Sequence, residues 1–235
     1  MGYIDIHSHI LPGMDDGARS MEQSLAMLKI ACDEGIETII ATPHNMPRKG
    51  CPSKETVERK VEKLKEAVQE AGLSIEILMG TEYFYREEVL EIFEEERGIT
   101  MAGTDKVLIE FDPGTDAKYI RNAAREILSF GYKPVIAHVE RYAKLLDKRF
   151  EAIADLRKMG ALIQVNAGSV MGNYGWKTKR ITRALLKKEL VDLLGSDAHS
   201  DGRRAPRMKD CAEYVGKKMK KPYSEYLLSA KALFQ

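Results

Sequence analysis

All five histidines of this sequence fall at the end of a short apolar run or just beyond it. They are His7, His9, His44, His138 and His199. The first two form an H-x-H pair, and the period of two along a strand turns both rings to one face. In an α/β barrel the carboxyl ends of the strands form the catalytic face, because the connecting loops meet there. The spacing therefore predicts that the five imidazoles converge on one site.

Carboxylates occupy matching positions along the chain. Four of them end or follow an apolar run, and they are Asp16, Glu82, Glu110 and Asp197. Neutral imidazoles combined with carboxylates suit Zn, Mn or Fe. Nine donor groups are too many for one ion, and four carboxylates on one face would repel each other without cations. The sequence therefore predicts two or three divalent metals that stabilise the fold as well as act in catalysis.

The elements that must position these donors alternate along the chain. Seven apolar runs are predicted to be strands, at residues 3–7, 38–41, 74–78, 106–110, 134–137, 162–166 and 193–196. The clearest helix is predicted over 53–71, with Ser53 as its cap and Gly72 at its end. Such alternation implies a parallel sheet, either open and doubly wound or closed, and seven units favour a barrel. Residues 1–235 are predicted to form one domain.

The composition limits the classes of partner. The chain has 37 basic and 36 acidic side chains and a formal net charge of +1, so bulk charge gives no reason to expect a nucleic acid or an anionic membrane. No apolar stretch approaches the roughly 18 residues that can span a bilayer, and the N-terminus lacks a secretory signal. Cys32, Cys51 and Cys211 form no CxxC pair, which indicates reduced thiols and a cytoplasmic location.

Several motifs surround the donors. They are Asp5-Ile-His-Ser-His-Ile, Asp15-Asp16-Gly17, Ala41-Thr-Pro-His44, Gly80-Thr-Glu82, Leu108-Ile-Glu110-Phe, Ala137-His-Val-Glu-Arg-Tyr142, Gln164-Val-Asn, and Gly195-Ser-Asp-Ala-His199 with Arg204 and Pro206. This set resembles the PHP (polymerase and histidinol phosphatase) superfamily, and within it the bacterial manganese-dependent tyrosine phosphatases of capsule and exopolysaccharide regulation. The resemblance implies the PHP fold, a distorted (β/α)7 TIM-like barrel. It also implies manganese as the metal, with Fe, Zn and Mg as alternatives.

The resemblance further implies how the donors are shared. One metal would be bound by His7, His9, Glu82 and Asp197. A second would be bound by Glu82 as a bridge, with Glu110 and His138, and a third by Asp16, His44 and His199. The arginines that bind phosphate in the family fall on Arg141 and Arg204. The adjacent Arg203 leaves open which of the pair faces the substrate, and the loop 45–51 departs from the family pattern.

These features predict metal-assisted hydrolysis of a phosphate monoester. Metals lower the pKa of a water that attacks phosphorus, and guanidinium groups bind two phosphate oxygens at once. A phenol, with a pKa near 10, leaves readily, so no general acid is assigned. The resemblance implies a phosphotyrosine protein as substrate, in particular a bacterial tyrosine kinase. Tyr174 or Trp176, in a glycine-rich segment predicted to be a mobile loop beside the site, could contact an aromatic substrate, whereas the aromatic residues at 83–85 are predicted to pack in the core.

Three other functions stay open. The chain could be a small-molecule phosphatase such as a histidinol-phosphate phosphatase. It could be a TatD-like nuclease, which also uses H-x-H, although His199 and the lack of a basic stripe with interleaved aromatic residues disfavour this. It could also be a non-catalytic module that metals stabilise. The filled set of donor positions argues against the last function.

Overall fold

The computed structural model describes residues 2–46, 52–228 and 234. Its strands are β1 (Tyr3–Ser8), β2 (Ile36–Ala41), β3 (His44–Asn45), β4 (Glu76–Met79), β5 (Glu82–Phe84), β6 (Lys106–Glu110), β7 (Lys133–Ile136), β8 (Leu162–Asn166) and β9 (Leu193–Gly195). All seven predicted strands are present, with ends that differ by one or two residues at most. β3 and β5 have only two and three residues, too few for a periodic pattern, and the sequence did not predict them.

Helices separate most of these strands. They are α1 (Met21–Asp33), α2 (Lys54–Glu70), α3 (Glu88–Glu94), α4 (Ala117–Ser129), α5 (Glu151–Lys158), α6 (Ala167–Met171), α7 (Trp176–Lys187), α8 (Lys209–Lys218) and α9 (Tyr223–Leu228). The helix predicted over 53–71 is α2: the Ser53 side chain accepts a hydrogen bond from the Thr56 N–H, and Gly72 follows the helix with a φ of 66°. No helix within the described ranges is long and apolar enough to cross a membrane.

The prediction for the segment 168–176 is wrong, and most of the loop 45–51 lies outside the described residues. The segment 168–176 is not a loop, because α6 occupies its first part and α7 begins at Trp176. A turn with positive φ at Gly172 and Gly175 joins the two helices. Residues 47–51, which hold Cys51 and most of the departing loop, lie outside the described residues. Cys32 and Cys211 are free thiols.

The strands are parallel and lie in two curved sheets. One sheet has the order β1-β2-β4 and the other β3-β5-β6-β7-β8-β9. The breaks at 42–43 and 80–81 divide two longer strands into β2 with β3 and β4 with β5. The two ends of the arrangement meet where Asp197 N donates to His7 O and His9 N donates to Ala198 O, both at 2.8 Å. The carboxyl ends of β1 and β9 are thereby joined beside each other.

A small apolar cluster fills the space that the strands enclose. Its strand residues are Ile4, Ile6, Ile40, Leu108, Val135, Leu162 and Leu193, which come from β1, β2, β6, β7, β8 and β9. A larger cluster lies between the outer faces of the strands and the helices. Because side chains alternate along a strand, residues two and four places beyond Leu162 on β8 share its inner face. The inner cluster therefore supports the side chains at the carboxyl ends of the strands.

Candidate metal centre

The nine predicted donors lie at the carboxyl ends of the strands and the loops that follow them. His7 and His9 come from β1, His44 from β3, Glu82 from β5 and Glu110 from β6. The others follow strands, with His138 after β7, Asp197 and His199 after β9, and Asp16 in the loop after β1. All but three are buried; His44 and Glu110 are partly exposed, and the Asp16 side chain is 67% exposed. The structure thus brings all nine side chains together.

Glu82 is the centre of the cluster. Its Oε2 lies 3.2 Å from Nε2 of His7 and 3.2 Å from Nε2 of His9. The same two nitrogens are 3.2 Å apart, and each lies 3.7 Å from Oδ1 of Asp197. Its other oxygen, Oε1, lies 3.0 Å from Nε2 of His138. Oε2 also lies 3.1 Å from Nδ1 of His44, so one carboxylate faces four imidazoles, which is the arrangement expected of a bridging ligand.

The remaining donors extend this cluster in two directions. Oε2 of Glu110 lies 3.7 Å from Nε2 of His138, and Oε1 of Glu110 lies 3.1 Å from Nδ1 of His44. Asp16 Oδ1 lies 3.4 Å from Nε2 of both His44 and His199. His9 also lies near Asp16, His44 and His199, and these four form one candidate metal group. His44 therefore faces Glu110 on one side of its ring and Asp16 on the other.

Charge compensation dominates the electrostatics of the cluster. Burial lowers the pKa of His9, but hydrogen bonds with Asp15 and Glu82 outweigh it and raise that pKa to about 9. Burial likewise lowers the pKa of His44, but Glu110 and Glu82 raise it to about 11. Burial would raise the pKa of Glu82, yet His7 and the hydrogen-bonded imidazoles hold it well below its usual range. Glu82 is therefore anionic, and positive charge beside it stabilises that state.

The pKa of His199 is lowered, whereas the pKa values of His9 and His44 are raised. Burial, the neighbouring positive charge of His9 and the guanidinium of Arg204 lower its pKa to about 3. Its imidazole is therefore neutral at physiological pH, which is the state that binds a metal. Nε2 of His199 lies 3.4 Å from Oδ1 of Asp16.

The donor set fits divalent cations. Nδ1 of His44 is buried and has no hydrogen-bond partner among the described residues, although carboxylate oxygens of Glu82 and Glu110 lie 3.1 Å away. A divalent cation near these groups would balance the charge of both carboxylates. Five imidazoles and four carboxylates also match the ligand preferences of Mn, Fe and Zn.

Asp15 is a site residue that the sequence reasoning did not single out. Its Oδ2 lies 2.8 Å from Nδ1 of His9 and accepts a hydrogen bond from His44 N at 2.9 Å. Its Oδ1 accepts from Gly17 N at 2.9 Å. A Cβ on Gly17 would lie 2.2 Å from His9 O, so only glycine fits there. The motif Asp15-Asp16-Gly17 could have indicated this role, because a carboxylate commonly orients a metal-binding histidine.

Two of the donors have a left-handed backbone conformation. The φ angle is 34° at His138 and 54° at Asp197. Non-glycine residues in this region are uncommon and cluster at functional sites, where the surrounding structure maintains the strain. Each of the two residues lies two positions beyond the end of its strand, β7 for His138 and β9 for Asp197.

The two predicted arginines share one carboxylate. Arg141 contacts Asp197 Oδ2, and Arg204 lies 2.8 Å from Asp197 Oδ1. Burial opposes charge on Arg141, but Asp197 and Glu140 outweigh it and raise its pKa. Both side chains are about one-third exposed, whereas Arg203 is exposed on the loop. Geometry thus directs Arg204, rather than Arg203, toward the cluster.

The aromatic residues near the site divide into buried and exposed groups. Tyr83 is fully buried and accepts a hydrogen bond from Ile99 N at 2.6 Å, and Tyr85 is 2% exposed. The prediction of core packing is confirmed for these two residues, whereas Phe84 between them is partly exposed and lies under the Arg86 guanidinium. Tyr174 is 41% exposed and its ring lies 5.9 Å from the guanidinium carbon of Arg141, while Trp176 is 72% exposed. Tyr174 therefore borders the site.

Comparison with known proteins gives a consistent result. A sequence model of the family described as "Capsular polysaccharide synthesis, CpsB/CapC" matches residues 3–233. The tyrosine-protein phosphatase CpsB of Streptococcus pneumoniae is 34% identical over 225 residues, which cover 92% of this chain and 90% of that protein.

Solved structures agree with the sequence comparison. One structure comes from work on YwqE of Bacillus subtilis and CpsB of Streptococcus pneumoniae, described as unique metal-dependent tyrosine phosphatases. It matches this chain with a TM-score of 0.91 and 29% identity, and the match covers 98% of this chain and 94% of that one. An organophosphorus hydrolase variant from Deinococcus radiodurans has a TM-score of 0.60 at 14% identity, covering 99% and 92%, and shares only the fold. The chain therefore belongs to the CpsB/CapC capsular polysaccharide synthesis family.

Proposed function

We propose that this chain is a metal-dependent phosphatase that hydrolyses phosphotyrosine in proteins. The observation that carries the proposal is the cluster of five imidazoles and four carboxylates with two arginines at its edge. Membership of a family whose relatives include tyrosine-protein phosphatases supports the choice of substrate. The full fold is proposed to be the distorted (β/α)7 barrel of the PHP type, with residues 1–235 as one domain.

The proposed ligand sets follow from the contacts. His7, His9, Glu82 and Asp197 would bind one metal, since Nε2 of each histidine lies 3.2 Å from Glu82 and 3.7 Å from Asp197. Glu82, Glu110 and His138 would bind a second, and Asp16, His44 and His199 a third. Two or three ions are proposed, with manganese favoured and Fe, Zn or Mg as alternatives. Such ions lower the pKa of water and neutralise charge on the phosphate.

The arginines of this chain are proposed to hold and orient the phosphate. Asp197 occupies one terminal nitrogen of each guanidinium, and each guanidinium has five N–H donors in a rigid fork. The donors that Asp197 does not use on Arg141 and Arg204 would bind non-bridging oxygens, which fixes phosphorus over the cluster. Asp197 keeps both guanidiniums in place before the substrate binds, so little reorganisation is needed.

The substrate is proposed to be a bacterial tyrosine kinase in polysaccharide regulation, and the cytoplasm is the proposed location. The family's link to capsular polysaccharide synthesis supports the first statement, and the free thiols of Cys32 and Cys211 support the second. Tyr174 is proposed to contact the substrate's aromatic ring, because it borders the site beside Arg141. The tyrosine leaving group needs little help from a general acid.

A comparison of substrates tests the proposal. Metal-free protein is reconstituted with manganese and given a phosphotyrosine peptide, the matching phosphoserine peptide and histidinol phosphate at equal concentrations. The proposal expects the phosphotyrosine peptide to have the highest kcat/KM and His199→Ala to abolish its hydrolysis. Faster hydrolysis of histidinol phosphate would contradict the proposed substrate class and favour the small-molecule alternative.

A further inference from the structure

β8 supplies no histidine and no carboxylate to the donor cluster. The side chains of Gln164 and Asn166 nevertheless point from its inner face into the site, and both are fully buried. A buried amide is unfavourable unless its donors and acceptors are paired. The partners of these two amides therefore indicate why the strand carries them.

The two amides form a continuous hydrogen-bonded chain between donor residues. Gln164 Nε2 donates to Asn166 Oδ1 at 2.8 Å, and Asn166 Nδ2 donates to Asp197 Oδ2 at 2.8 Å. At the other end, Gln164 Oε1 accepts from the backbone N–H of His138 at 2.6 Å and lies 3.4 Å from Nδ1 of His7. The chain therefore links residues that follow or belong to β1, β7 and β9.

The ends of this chain fix its direction. The His138 N–H can only donate, so the Gln164 atom that faces it must be the oxygen. The Asp197 carboxylate can only accept, so the Asn166 atom that faces it must be the amide nitrogen. With both ends fixed, Gln164 Nε2 must donate to Asn166 Oδ1. Each amide has a single orientation that satisfies its neighbours.

This direction determines where His7 carries its proton. Because Gln164 Oε1 is an acceptor, Nδ1 of His7 must hold the hydrogen. Nε2 of His7 faces Glu82 at 3.2 Å and Asp197 at 3.7 Å. With Nδ1 held by Gln164, Nε2 is the ring nitrogen that would bind a metal.

The same amide supports the strained turn at His138. That residue has φ 34° and ψ 55°, a conformation that is costly for a non-glycine residue. The 2.6 Å hydrogen bond from its N–H to Gln164 Oε1 ties this turn to β8. Through that bond, the ring of His138 is directed at Glu82 Oε1.

We propose that Gln164 and Asn166 are positioning residues that prearrange three metal-binding side chains. They set the proton of His7, the backbone of His138 and the orientation of Asp197 through one hydrogen-bonded chain. This inference rests on the proposed metal-ligand set. Residues that orient metal ligands typically contribute about 10- to 100-fold to metal affinity or activity.

The test measures manganese affinity by competition with a chelator of known affinity. Gln164→Met and Asn166→Leu keep the approximate volume and remove the hydrogen bonds. Val165→Ala is the matched control, since Val165 is buried on the outer face of the same strand. Gln164→Glu keeps the acceptor for His7 and His138 and loses the donor to Asn166. Melting temperatures of the metal-free proteins record how much each change weakens the fold.

The inference expects a loss of manganese affinity of about 10- to 100-fold in Gln164→Met and Asn166→Leu, and a smaller loss in Gln164→Glu. Val165→Ala is expected to lower the melting temperature and retain wild-type affinity. Wild-type affinity in both amide variants, or an equal loss of affinity in Val165→Ala, would overturn the inference while leaving the proposed function intact. A wild-type protein that binds no manganese would overturn both.

A second measurement uses only the wild-type protein and does not depend on the variants folding. In the zinc-loaded, ¹⁵N-labelled protein, NMR resolves which ring nitrogen of His7 carries the hydrogen. The inference expects the hydrogen on Nδ1. A hydrogen on Nε2 would overturn it.

Discussion

Nδ1 of His9 lies 2.8 Å from a carboxylate oxygen of Asp15. The contact turns Nε2 of the same ring toward the donor cluster, because the two ring nitrogens lie on opposite sides of the imidazole. Burial would raise the pKa of Asp15, but its hydrogen bonds with His9 and its charge interaction with that ring hold the pKa below the usual range. Asp15 therefore stays anionic and orients a histidine without facing the cluster itself.

Replacement of Asp15 by Ala is expected to weaken metal binding. The His9 ring would lose its hydrogen-bond acceptor and His44 N–H would lose its partner, so manganese affinity should fall by about 10- to 100-fold. A chelator competition measures it. Asp147→Ala serves as the control, because Asp147 also accepts backbone hydrogen bonds but lies in an exposed turn. Unchanged affinity in Asp15→Ala would contradict this role.

The metal-free protein is expected to lose stability as the pH rises. The pKa values of His9 and His44 are about 9 and 11 in the folded protein, above the unfolded value of about 6.5. A raised pKa contributes stability that is fully present below pH 6.5 and is lost as the pH rises through the folded value. His199 has a pKa of about 3 in the folded protein. Above pH 6.5 it is neutral in both the folded and the unfolded protein, so it does not make stability depend on pH there.

Melting temperatures measured with and without metal test this expectation. The chelated protein should melt at a lower temperature at pH 9 than at pH 6.5, because the unfolded histidines lose their protons above pH 6.5 and His9 begins to lose its own near pH 9. Saturating manganese should raise the melting temperature at both values and should raise it more at pH 9, since cations replace the lost positive charge. A chelated protein that becomes more stable between these pH values would contradict the electrostatic account.

Replacement of Arg204 is expected to impair catalysis without loss of metal. A charge-assisted hydrogen bond contributes about 1.5–3 kcal/mol, so Arg204→Ala should lower kcat/KM by about tenfold or more. Arg204→Lys should recover only part, because an ammonium cannot bind two oxygens in a fixed plane. The exposed Arg203 provides the control, and Arg203→Ala should change kcat/KM by less than about twofold. If Arg203→Ala lowered kcat/KM and Arg204→Ala did not, Arg203 rather than Arg204 would be the arginine that binds phosphate.

Trp176 is expected to matter for peptides and not for small substrates. Its ring is 72% exposed at the start of α7, two residues beyond Tyr174. An aromatic contact contributes about 0.5–1.5 kcal/mol, so Trp176→Ala should lower kcat/KM for a phosphotyrosine peptide by roughly two- to twelvefold. Hydrolysis of p-nitrophenyl phosphate should be unchanged. Phe130→Ala, at the exposed C-terminal end of α4, should affect neither substrate.

The sequence predicted that the nine side chains converge, because parallel topology brings strand ends together. Apolar runs located the ends of β1, β6, β7, β8 and β9, and each histidine followed such a run. The position of Glu82 was predicted although its own strand, β5, was not, since the break at 80–81 left too few residues for a pattern. Local propensity cannot specify a strand that exists mainly through hydrogen bonds to its neighbours.

The residues that orient the donors were harder to predict. Gln164 and Asn166 alternate on β8 as inward-facing residues should, yet amides at a strand end are ordinary without their partners. Those partners are 26 to 157 residues away in the chain. The left-handed turns at His138 and Asp197 likewise carry no local signal such as glycine. Such features depend on tertiary contacts, which a single sequence does not display.

A manganese titration of the metal-free protein tests the central claim most directly. Bound manganese per chain and the rate of phosphotyrosine peptide hydrolysis are measured on the same samples, with His9→Ala as the control. The account predicts that hydrolysis is absent without metal, rises with occupancy and reaches its maximum when two or three ions are bound per chain, while His9→Ala binds fewer ions and stays inactive. Full hydrolysis by protein that holds less than one ion per chain would contradict the account.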